Sequence, residues 1–327
     1  MKILITGATG FIGRRLVEIL SETSHQIICL LRLQSDASCF ENYLNIQIIR
    51  SDFKDMEKMK DIFHHIDVVI HLAGQMGGPG VTYEQFYEVN CNLTVKLLDA
   101  SAEAGVKHFI YCSTPGVLGF GKRLAKETDS YAPRNGYEKT KVIAEKKVRR
   151  ICREAKMPYT IIRPDFVYGP GDTRRVRMYR LIRKRKFILT TSGKSFLHPT
   201  YIDDVVHGFL CCIENENAHN QTFNIAAETD VTSGEYLKTI AKHTGVKLIH
   251  INIGIVLSRL FAGIVDALSK ILLHKEGFVS RNKIDFLAMD HSSDIEKAQK
   301  YLGYRPQYDC DKGLEITMNW CKENALL

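Results

Sequence analysis

The first thirteen residues constrain this 327-residue chain more than any other segment. The apolar run from Lys2 to Thr6 predicts a buried strand, and three glycines follow it at regular spacing: Gly7, Gly10 and Gly13. A sharp turn needs glycine where φ is positive and where the backbone approaches a ligand closely. The residues after Gly10 predict a helix whose N-terminal amides and dipole would point at phosphates. The turn therefore predicts a dinucleotide site.

Apolar, β-branched runs alternate with helical patterns through the first 165 or so residues. Strands are predicted at Ile3 to Thr6, Gln26 to Leu31, Ile46 to Arg50, Val68 to Leu72, His108 to Cys112 and Tyr159 to Arg163. Helices are predicted over 11–22, 55–64, 83–104 and 135–155. Strands that are buried on both faces and separated by helices indicate an α/β fold with a Rossmann-type, doubly wound parallel sheet.

The pattern loosens after Arg163 and Pro164, without an internal repeat or a low-complexity linker. We therefore expect residues 1–168 to form the dinucleotide-binding domain, with later segments at about 200–226 returning to it. Residues 169–327 are expected to form mainly a smaller substrate-binding lobe, packed intimately on the first.

Composition indicates an ordinary globular protein, with 45% hydrophobic and 25% charged residues. The nine cysteines form neither CxxC pairs nor a cluster of zinc spacing. Their odd number and scatter favour buried thiols in a reduced compartment and no bound metal. The chain enters a strand without a basic segment and cleavage site before it, so we expect no signal peptide and a cytoplasmic protein.

The formal charge of +8 is concentrated in part in a basic run from Arg174 to Lys186. Tyrosine, leucine and isoleucine are interleaved in it at helical spacing, which favours a solvated helix face. An anionic substrate is the next interpretation. Nucleic acid is disfavoured, because no nucleic-acid-binding module accompanies the charge.

The longest apolar stretch runs from Ile251 to Leu273 and is interrupted by Arg259, Asp266 and Lys270, so it is not expected to span a bilayer. Its apolar residues recur at helical spacing and give one wide apolar face. The favoured interpretation is a helix that covers a core or a substrate pocket. Attachment to a membrane surface is the alternative.

The GxxGxxG spacing of the first turn resembles that of extended short-chain dehydrogenases/reductases, the NAD(P)-dependent epimerase/dehydratase family. Further similar segments run almost to the end of the chain: Ser51-Asp52-Phe53, Val69 to Gly74, Asn90, Lys297-Ala298, Leu302 to Pro306 and Gly313-Leu314. The resemblance implies an NAD(P) site formed by Gly7, Thr9, Gly10, Phe11, Ile12, Gly13, Arg32, Asp52, Phe53, Leu72, Ala73, Gly74, Asn90, Tyr137, Lys141 and Pro164.

Within this site, the resemblance places the Asp52 side chain and the Phe53 backbone against the adenine. Strand two ends at Arg32, where NAD-selective relatives carry an acidic residue for the ribose 2′-hydroxyl. An arginine could instead grip a 2′-phosphate, because its planar fork matches that group. The cofactor is therefore expected to be NAD(P) with a preference for NADP, the alternative being that Arg32 stacks on the adenine.

Tyr137 and Lys141 are four residues apart on a predicted helix and share one face. Tyr308 and Lys312 have the same spacing, but only the first pair follows a strand that ends in Cys112-Ser113-Thr114. The resemblance implies that Tyr137 is the catalytic acid/base, that Lys141 binds the nicotinamide ribose, that Thr114 holds the substrate oxygen and that Ser113 braces the loop.

Such chemistry requires a tyrosine that exchanges a proton near neutral pH, whereas the pKa of free tyrosine is about 10. Lowering the pKa by roughly three units takes ~4 kcal/mol, about what one ammonium ~4 Å away supplies at an effective dielectric constant near 20. Lys141 and a positively charged nicotinamide together are expected to be sufficient.

Several segments bear on the substrate. Pro115-Gly116 replaces the Asp-Glu pair of related dehydratases, which disfavours a 4,6-dehydratase. The arginine that commonly pairs the diphosphate of a nucleotide sugar is missing from Lys194 to His198. The segments Gly169 to Arg174 and Gly74 to Gly80 nevertheless resemble sugar-nucleotide epimerases, and Arg174 could replace the missing partner.

The favoured prediction is an enzyme, a sugar-nucleotide epimerase or reductase with substrate contacts from Gln75, Thr114, Arg174 and His198. The first alternative is a dehydrogenase or reductase of a hydrophobic alcohol or ketone, similar to 3β-hydroxysteroid dehydrogenases. A non-catalytic dinucleotide-binding protein is the third, disfavoured because the tyrosine–lysine pair is present. The resemblance also implies a homodimer through the helices at 83–104 and 135–155.

Overall fold

The structure is a computed structural model that describes residues 1–53, 57–78, 80–273 and 281–327, without the side chains of 57–59 and 266–273. The first two residues of the predicted helix 55–64, the proline of the loop Gly74 to Gly80, and the last side chains of the apolar stretch lie outside the described residues.

The strands are, in chain order, β1 (Lys2–Thr6), β2 (Gln26–Arg32), β3 (Ile46–Ser51), β4 (Val68–His71), β5 (His108–Cys112), β6 (Lys122–Ala125), β7 (Tyr159–Pro164), β8 (Val167–Tyr168), β9 (Ile188–Leu189), β10 (Phe196–Leu197), β11 (Thr200–Tyr201), β12 (Gln221–Ile225), β13 (Val231–Thr232), β14 (Ile249–His250) and β15 (His291–Ser293).

The helices are α1 (Phe11–Ser21), α2 (Glu57–Phe63), α3 (Tyr83–Tyr87), α4 (Leu93–Glu103), α5 (Gly136–Glu154), α6 (Val176–Arg183), α7 (Ile202–Leu210), α8 (Ser233–His243), α9 (Ile255–Leu273), α10 (Arg281–Ala288), α11 (Glu296–Leu302) and α12 (Cys310–Glu323). A π-helical turn, Glu88–Asn92, joins α3 to α4.

The large sheet of the described chain has seven parallel strands in the order β12-β7-β5-β4-β1-β2-β3. Both faces are buried, because Ile3 and Ile5 of β1 belong to one hydrophobic cluster and Leu4 to the other. This alternation follows from the two-residue period of a strand. Helices α1 and α7 cover the first face, and α4 and α5 cover the second. The predicted Rossmann-type doubly wound fold is confirmed.

The predicted strands coincide with β1 to β5 and β7 to within one residue at each end. The helix predicted over 83–104 is divided by the π-helical turn, which places Asn90 and Cys91 in the interior. An extra residue per turn rotates the side chains that follow it, and a periodicity of 3.6 does not reveal such a change.

The chain returns to the large sheet late. Strand β12 pairs with β7 along five residues, although α6 and α7 lie between them in sequence. A smaller sheet, in the order β13-β10-β15-β6, and the two-stranded pairs β11-β8 and β14-β9 stand beside it. The carboxyl ends of the parallel strands meet at one edge of the large sheet, where doubly wound folds bind ligands.

The two amphipathic segments differ in orientation. Helix α6 buries Val176, Tyr179 and Ile182, and its arginines point outward, in agreement with a solvated helix face. Helix α9 instead exposes the apolar face that we expected to cover a core or pocket. That interpretation is wrong for the side chains described at 255–265. Among the described residues, no helix has both the length and the apolar character needed to cross a bilayer.

Candidate active site

The glycine turn is closed so tightly that side chains are excluded from two of its three positions. Gly7 has φ of +71°, and a Cβ there would lie 2.6 Å from the Ala73 nitrogen. A Cβ on Gly13 would lie 2.1 Å from the Gly7 carbonyl oxygen. The Gly10 nitrogen donates to that same oxygen at 2.9 Å. These contacts explain the GxxGxxG spacing, because α1 can approach β1 and β4 only through glycine.

A cavity of about 1580 Å³ opens at the carboxyl ends of the large sheet. Its volume exceeds the 300–1,000 Å³ or so that is usual for one small ligand, so it has room for two ligands side by side. The predicted site residues that line it are Gly7, Thr9, Gly10, Phe11, Ile12, Gly13, Leu72, Gly74, Ser113, Thr114, Tyr137, Lys141, Pro164 and Arg174.

The start of α1 suits the pyrophosphate of a dinucleotide. Its N-cap is Gly10, which has no side chain to occupy the first amides of the helix. Phe11, Ile12 and Gly13 of that first turn line the cavity. Free amides and the positive end of the helix dipole favour a phosphate there. The uncapped first turn of α1, which opens into the cavity, thus fits the group that the sequence predicts.

Two buried hydrogen-bond networks hold the loop after β4. The His71 ring lies between the Thr6 and Thr94 hydroxyls, at 2.7 and 2.9 Å, and burial lowers the pKa of His71 to about 3. The Ala73 nitrogen donates to the Thr6 hydroxyl at 3.3 Å. His71 therefore stays neutral and has a structural role beneath the cofactor site.

Asn90 of the π-helical turn forms the second network. Its Oδ1 accepts from the Gln75 nitrogen at 2.8 Å, and its Nδ2 donates to the Gln75 carbonyl at 3.1 Å and to the Thr140 hydroxyl at 3.0 Å. The side chain of Asn90 is 1% exposed and ties the loop to α5. The structure thus places Asn90 and Ala73 behind the cavity wall, although both were predicted to bind the cofactor.

Tyr137, Lys141 and Thr114 open into the cavity from two adjoining elements, α5 and the end of β5. Asn135 caps α5 by accepting from the Glu138 nitrogen at 2.9 Å, which fixes where the first turn begins. The Thr114 Oγ1 accepts from the Gly116 nitrogen at 3.2 Å. Its hydroxyl proton is then left to donate into the cavity.

Lys141 is 4% exposed, and its Nζ donates to the Cys112 carbonyl at 2.6 Å. Burial lowers the pKa of Lys141 to about 8, against a smaller opposing effect of Cys112. Burial also raises the pKa of Tyr137 above its ordinary value, and the charge of Arg174 offsets only part of that rise. The expected lowering of the tyrosine pKa is therefore not produced by the protein groups alone.

A buried charge cluster stands beneath these residues. The Glu145 carboxylate accepts from the Ser113 hydroxyl at 2.6 Å and from Arg163 Nε and Nη2 at 2.9 and 2.8 Å. Tyr131 and Arg149 donate to it at 2.7 and 3.1 Å. Burial raises the pKa of Glu145, but the hydrogen bonds and charge of Arg163 outweigh burial and bring it to about 2. Ser113 thus ties its loop to α5 through this hydrogen bond.

Arg32, Asp52 and Phe53 lie at the ends of β2 and β3, beside the cavity rather than in its wall. Arg32 is exposed and in register with Ser51 of β3. Phe53 has φ of 59°, and Lys96 donates to its carbonyl at 3.3 Å. The three residues share the sheet edge at which the adenine end of a dinucleotide is expected.

Of the predicted substrate residues other than Thr114, the structure brings only Arg174 to the cavity. The Arg174 Nη1 lies 2.7 Å from the Met76 sulfur across the cavity mouth. Met76 lines the wall where Gln75 was expected. His198 is 1% exposed, its Nε2 bonds the Ala227 carbonyl at 2.9 Å, and its Nδ1 accepts from the Ser293 nitrogen at 3.3 Å. His198 therefore has a packing role.

No sequence pattern indicates the aromatic wall, which we define as Phe120, Phe166, Phe286 and His291. Ring centroids of Phe120 and His291 are 4.8 Å apart, those of Phe286 and His291 4.3 Å, and those of Phe166 and Phe286 4.8 Å. All four residues line the cavity. They come from three distant segments, so no local pattern could have identified them.

Asp165 is a second residue of the cavity that the sequence analysis does not identify. It lines the cavity, is 2% exposed and accepts from the Ser293 hydroxyl at 2.5 Å. Burial raises the pKa of Asp165 to about 7, although the bond from Ser293 opposes the rise. Its position directly after β7 could have found it, because the residue after a parallel strand faces the ligand edge. Among the described residues, no cluster of His, Cys, Asp or Glu is placed to hold a metal ion.

Comparison with known proteins is consistent with this geometry. UDP-glucose 4-epimerase of Vibrio cholerae is 28% identical, over 96% of this chain and 94% of its own. Sterol-4-alpha-carboxylate 3-dehydrogenase, decarboxylating, of Candida albicans is 25% identical, over 98% of each chain. UDP-glucuronic acid 4-epimerase from Bacillus cereus, in complex with UDP-glucuronic acid and NAD, superposes with a TM-score of 0.78, at 23% identity, over 99% of this chain and 100% of its own.

The model of the NAD dependent epimerase/dehydratase family matches residues 3–226, which run from β1 to the residue after β12. That span contains the glycine turn and the tyrosine–lysine pair. The resemblance stated from the sequence is confirmed: the chain belongs to the NAD dependent epimerase/dehydratase family, and the family and these relatives support an enzyme.

Proposed function

We propose that the protein interconverts a secondary alcohol and a ketone by hydride transfer, with Tyr137 as the acid/base. The observation that carries the proposal is that Tyr137, Lys141 and Thr114 open into the same cavity as the glycine turn. When bound, NAD(P) supplies or accepts the hydride. The glycine turn and the start of α1 would hold its pyrophosphate, and Lys141 its nicotinamide ribose.

Thr114 orients the substrate oxygen in this scheme. Because its Oγ1 already accepts from the Gly116 nitrogen, its hydroxyl donates to the oxygen that reacts. Tyr137 then exchanges the proton of that oxygen, as the acid when a ketone is reduced and as the base when an alcohol is oxidised. Burial keeps the phenol protonated, which suits the acid role. The base role requires more positive charge nearby, from Lys141 and from an oxidised nicotinamide.

We infer that the preferred substrate is a nucleotide-linked sugar, acted on as an epimerase or a reductase. Arg174 and Lys186 both line the cavity and could pair with a diphosphate. The similarity to UDP-glucose 4-epimerase supports this substrate class. Gly116 stands where related dehydratases carry the glutamate of an Asp-Glu pair. A Cβ on Gly116 would lie 3.0 Å from the Glu138 side chain, so there is little space for a glutamate side chain, and a dehydratase is not supported.

The aromatic wall favours a second candidate, a hydrophobic alcohol or ketone. Its three phenylalanines line the same cavity as Tyr137 and provide apolar area that a sugar does not need, although rings also stack on sugars and bases. The similarity to a sterol 3-dehydrogenase supports this alternative. The cavity has room for either class beside the cofactor.

Replacing Tyr137 with phenylalanine tests the chemistry. Tyr308→Phe is the matched control, since Tyr308 and Lys312 have the same spacing and lie outside the cavity lining. We expect Tyr137→Phe to lower kcat roughly 10²–10⁴-fold with cofactor affinity kept, and Tyr308→Phe to stay near the wild type. Unchanged turnover in Tyr137→Phe would remove the catalytic assignment and favour a non-catalytic dinucleotide-binding protein.

Substrate class is tested with two probes, UDP-glucose and a 3β-hydroxysteroid, by following the reduced cofactor and the sugar epimer formed. The sugar proposal expects turnover of UDP-glucose or a close analogue, and a loss of at least about tenfold in its affinity in Arg174→Met, because a charge-assisted bond is removed. Turnover of the steroid alone would favour the second candidate. Tightly held NAD in the purified protein would support an epimerase, and empty protein that binds NADPH a reductase.

A preference for NADP is supported by the charges around the end of β2. Arg32 ends that strand, and Arg50 donates to the Leu33 and Ser35 carbonyls of the following loop at 3.2 and 2.6 Å. Asp36 on the same loop has its pKa lowered by bonds from Ser38 and then by the charges of Arg14 and Arg50. A 2′-phosphate would meet several guanidinium groups there.

A homodimer through α3, α4 and α5 is part of the same proposal. Tyr83 of α3 is 44% exposed, and α4 and α5 pack on the same face of the large sheet. Two such helix pairs could form a four-helix interface. Sedimentation velocity tests the assembly, and a Tyr83→Lys variant that stays dimeric would show that the interface lies elsewhere.

A further inference from the structure

Helix α9 exposes its apolar side and buries its polar side. Among its described side chains, the exposed ones are Val256 (65%), Leu257 (57%), Leu260 (51%), Phe261 (57%) and Ile264 (59%). Successive helical residues are about 100° apart, so these five lie within an arc of about 140°. Surface helices of globular proteins show the reverse arrangement, with the apolar arc facing the core.

The buried side of α9 is held by polar contacts. Ser258 is 1% exposed and its hydroxyl donates to the Thr190 carbonyl at 3.0 Å. The Arg259 Nε pairs with Asp285 of α10 at 2.7 Å, and Ala262 is fully buried. These contacts fix the rotation of the helix, so the apolar arc faces outward as a consequence of the packing.

Further apolar side chains extend the arc at the N-terminal end of the helix. Ile251 and Ile253, just before α9, are 54% and 40% exposed, and Ile188 of β9 is 47% exposed. The Ile251 and Ile253 nitrogens donate to the Leu189 and Thr190 carbonyls at 2.9 and 3.0 Å, which joins these residues into one surface. Exposed apolar areas above a few hundred Å² mark interaction sites.

The segments that carry this surface contain no acidic residue up to Val265, the last described side chain of α9, and Asp266 is the next residue of that helix. Residues 173–202, which include α6 and β9, have nine lysines and arginines, and residues 236–265, which include β14 and the described part of α9, have four. Neither segment contains aspartate or glutamate. The exposed run Arg183 to Lys186 stands directly before β9, and β9 pairs with β14. The apolar arc is thus bordered by positive charge on the side of β9, whereas Lys242 and Arg259 of the second segment are already paired with Asp311 and Asp285.

The charge identifies the occupant. In a two-fold dimer through this face, the same basic segments would border both halves of the interface and repel each other. An anionic lipid surface offers an apolar interior for the arc and negative headgroups for the lysines and arginines around it. An anionic bilayer therefore matches both the apolar arc and the basic residues of this face.

We propose that α9 docks this protein on the surface of an anionic lipid bilayer. The arc from Val256 to Ile264 enters the boundary between headgroups and acyl chains, and the exposed side chains of Arg183, Lys184 and Arg185 bind the headgroups. The helix lies in the plane of the interface and does not cross it.

Docking would bring the cavity to the bilayer. Lys186, Phe187 and Ile188 line the cavity beside β9, and Ile284, Phe286 and Leu287 line it from α10, which packs on α9. A substrate with a lipid portion could then reach the cavity without leaving the membrane. This consequence depends on the proposed function, whereas docking itself does not.

The test is co-sedimentation of the full chain with phosphatidylcholine vesicles, with and without 30% or so phosphatidylglycerol, at low and high salt. We expect binding to the anionic vesicles that weakens at least tenfold in neutral vesicles or in high salt. The triple variant Leu257→Ser, Leu260→Ser, Phe261→Ser is expected to lose binding at least tenfold. Leu44→Ser is the matched control, because Leu44 is fully exposed at the β3 edge of the sheet.

The variant Lys184→Glu, Arg185→Glu tests the charge separately, and it keeps the proposal testable if the triple variant fails to fold. Both side chains are exposed, and we expect reversal of the two charges to weaken anionic-vesicle binding at least tenfold with the thermal unfolding midpoint unchanged. Absence of vesicle binding in the wild type, equal binding in all variants, or an effect of the triple variant on dimerisation alone would each overturn the proposal. Vesicle binding is measured without turnover, so failure of the proposed activity would leave it intact.

Discussion

Two sets of charges lie buried at the candidate active site, and their environments are opposite. Glu145 accepts five hydrogen bonds, among them two from the buried Arg163, and the pKa of Glu145 falls to about 2. Asp165 faces the cavity, and burial raises its pKa to about 7, while burial lowers the pKa of Lys141 to about 8.

The comparison distinguishes buried charges that stabilise the structure from buried charges that are available to a ligand. The cluster around Glu145 joins α5, β5 and β7, and so holds Tyr137, Thr114 and Asp165 in register. Lys141 and Asp165 are buried without a matching charge in contact, which destabilises their ionised forms. Shifts of that kind concentrate at functional sites, because a ligand can supply the missing partner. Three measurements would sharpen or break this distinction, and a fourth tests the expected preference for NADP.

Lys141→Met should lower turnover roughly 10²-fold or more, since the ribose loses its anchor and the reacting atoms their alignment. The same variant should gain unfolding free energy, by up to roughly 3 kcal/mol, because no charge is buried. In the wild type, the free-energy cost of burying the Lys141 ammonium is complete below pH 8 and disappears as the pH rises from 8 toward 10.5. Denaturant unfolding at pH 7 together with kcat checks both effects. If the Lys141→Met variant were inactive and also less stable than the wild type, Lys141 would have a structural role like that of Glu145.

Glu145→Gln should destabilise the fold by about 3–5 kcal/mol, because the Arg163 guanidinium stays buried without its counterion. Glu154→Gln is the control on the same helix: Glu154 is 67% exposed and should change stability by less than about 0.5 kcal/mol. The pKa of Glu145 lies below its ordinary value of 4.5, so its contribution is present above pH 4.5 and lost as the pH falls toward 2. Equal stability of the two variants would contradict a supporting role.

Asp165→Asn should change the pH dependence of stability. The pKa of Asp165 lies above its ordinary value of 3.8, so its favourable contribution is present below about pH 4 and lost as the pH rises to 7. The variant should be more stable than the wild type at pH 7.5, by roughly 2–4 kcal/mol, and similar to it at pH 4. Unfolding curves at the two pH values measure this, and parallel pH profiles would show that the carboxyl is already paired.

Arg32→Ser should weaken NADPH binding by about tenfold and leave NADH binding unchanged, because one charge-assisted bond to a 2′-phosphate is lost. The control is Arg150→Ser, which removes an exposed arginine of α5. Isothermal titration calorimetry with NADPH and with NADH measures the ratio of the two affinities. A loss of affinity for both cofactors alike would support stacking on the adenine instead.

The cofactor half could be predicted from the sequence because its signals are local. The glycine turn, the period-two strands and the Tyr137–Lys141 pair each lie within a few residues, and β1, α1 and α5 form where expected. Residues whose positions depend on irregular structure or on distant contacts could not be predicted in this way. A π-helical turn places Asn90 in the interior, and Ala227 and Ser293 hold the ring of His198.

The substrate half was harder to predict for the same reason. The aromatic wall assembles from β15, α10 and the loops after β5 and β7, and none of these segments has a spacing that reveals the others. The periodicity of 255–273 predicted the helix correctly and, for the side chains described at 255–265, also its apolar face. It could not give the direction of that face, which Ser258 and Arg259 decide through contacts with Thr190 and Asp285.

The position of β12 at the edge of the large sheet bears on how the chain emerges from the ribosome. Its partner β7 ends at Pro164, and about sixty residues of α6, α7 and their loops are synthesised before β12 appears. Until then β7 is an open edge, with Asp165 lacking the Ile225 carbonyl that its nitrogen bonds at 2.9 Å. Because unpaired strand edges are prone to aggregate, translation that stalls between these strands would expose the nascent chain where the active site later forms.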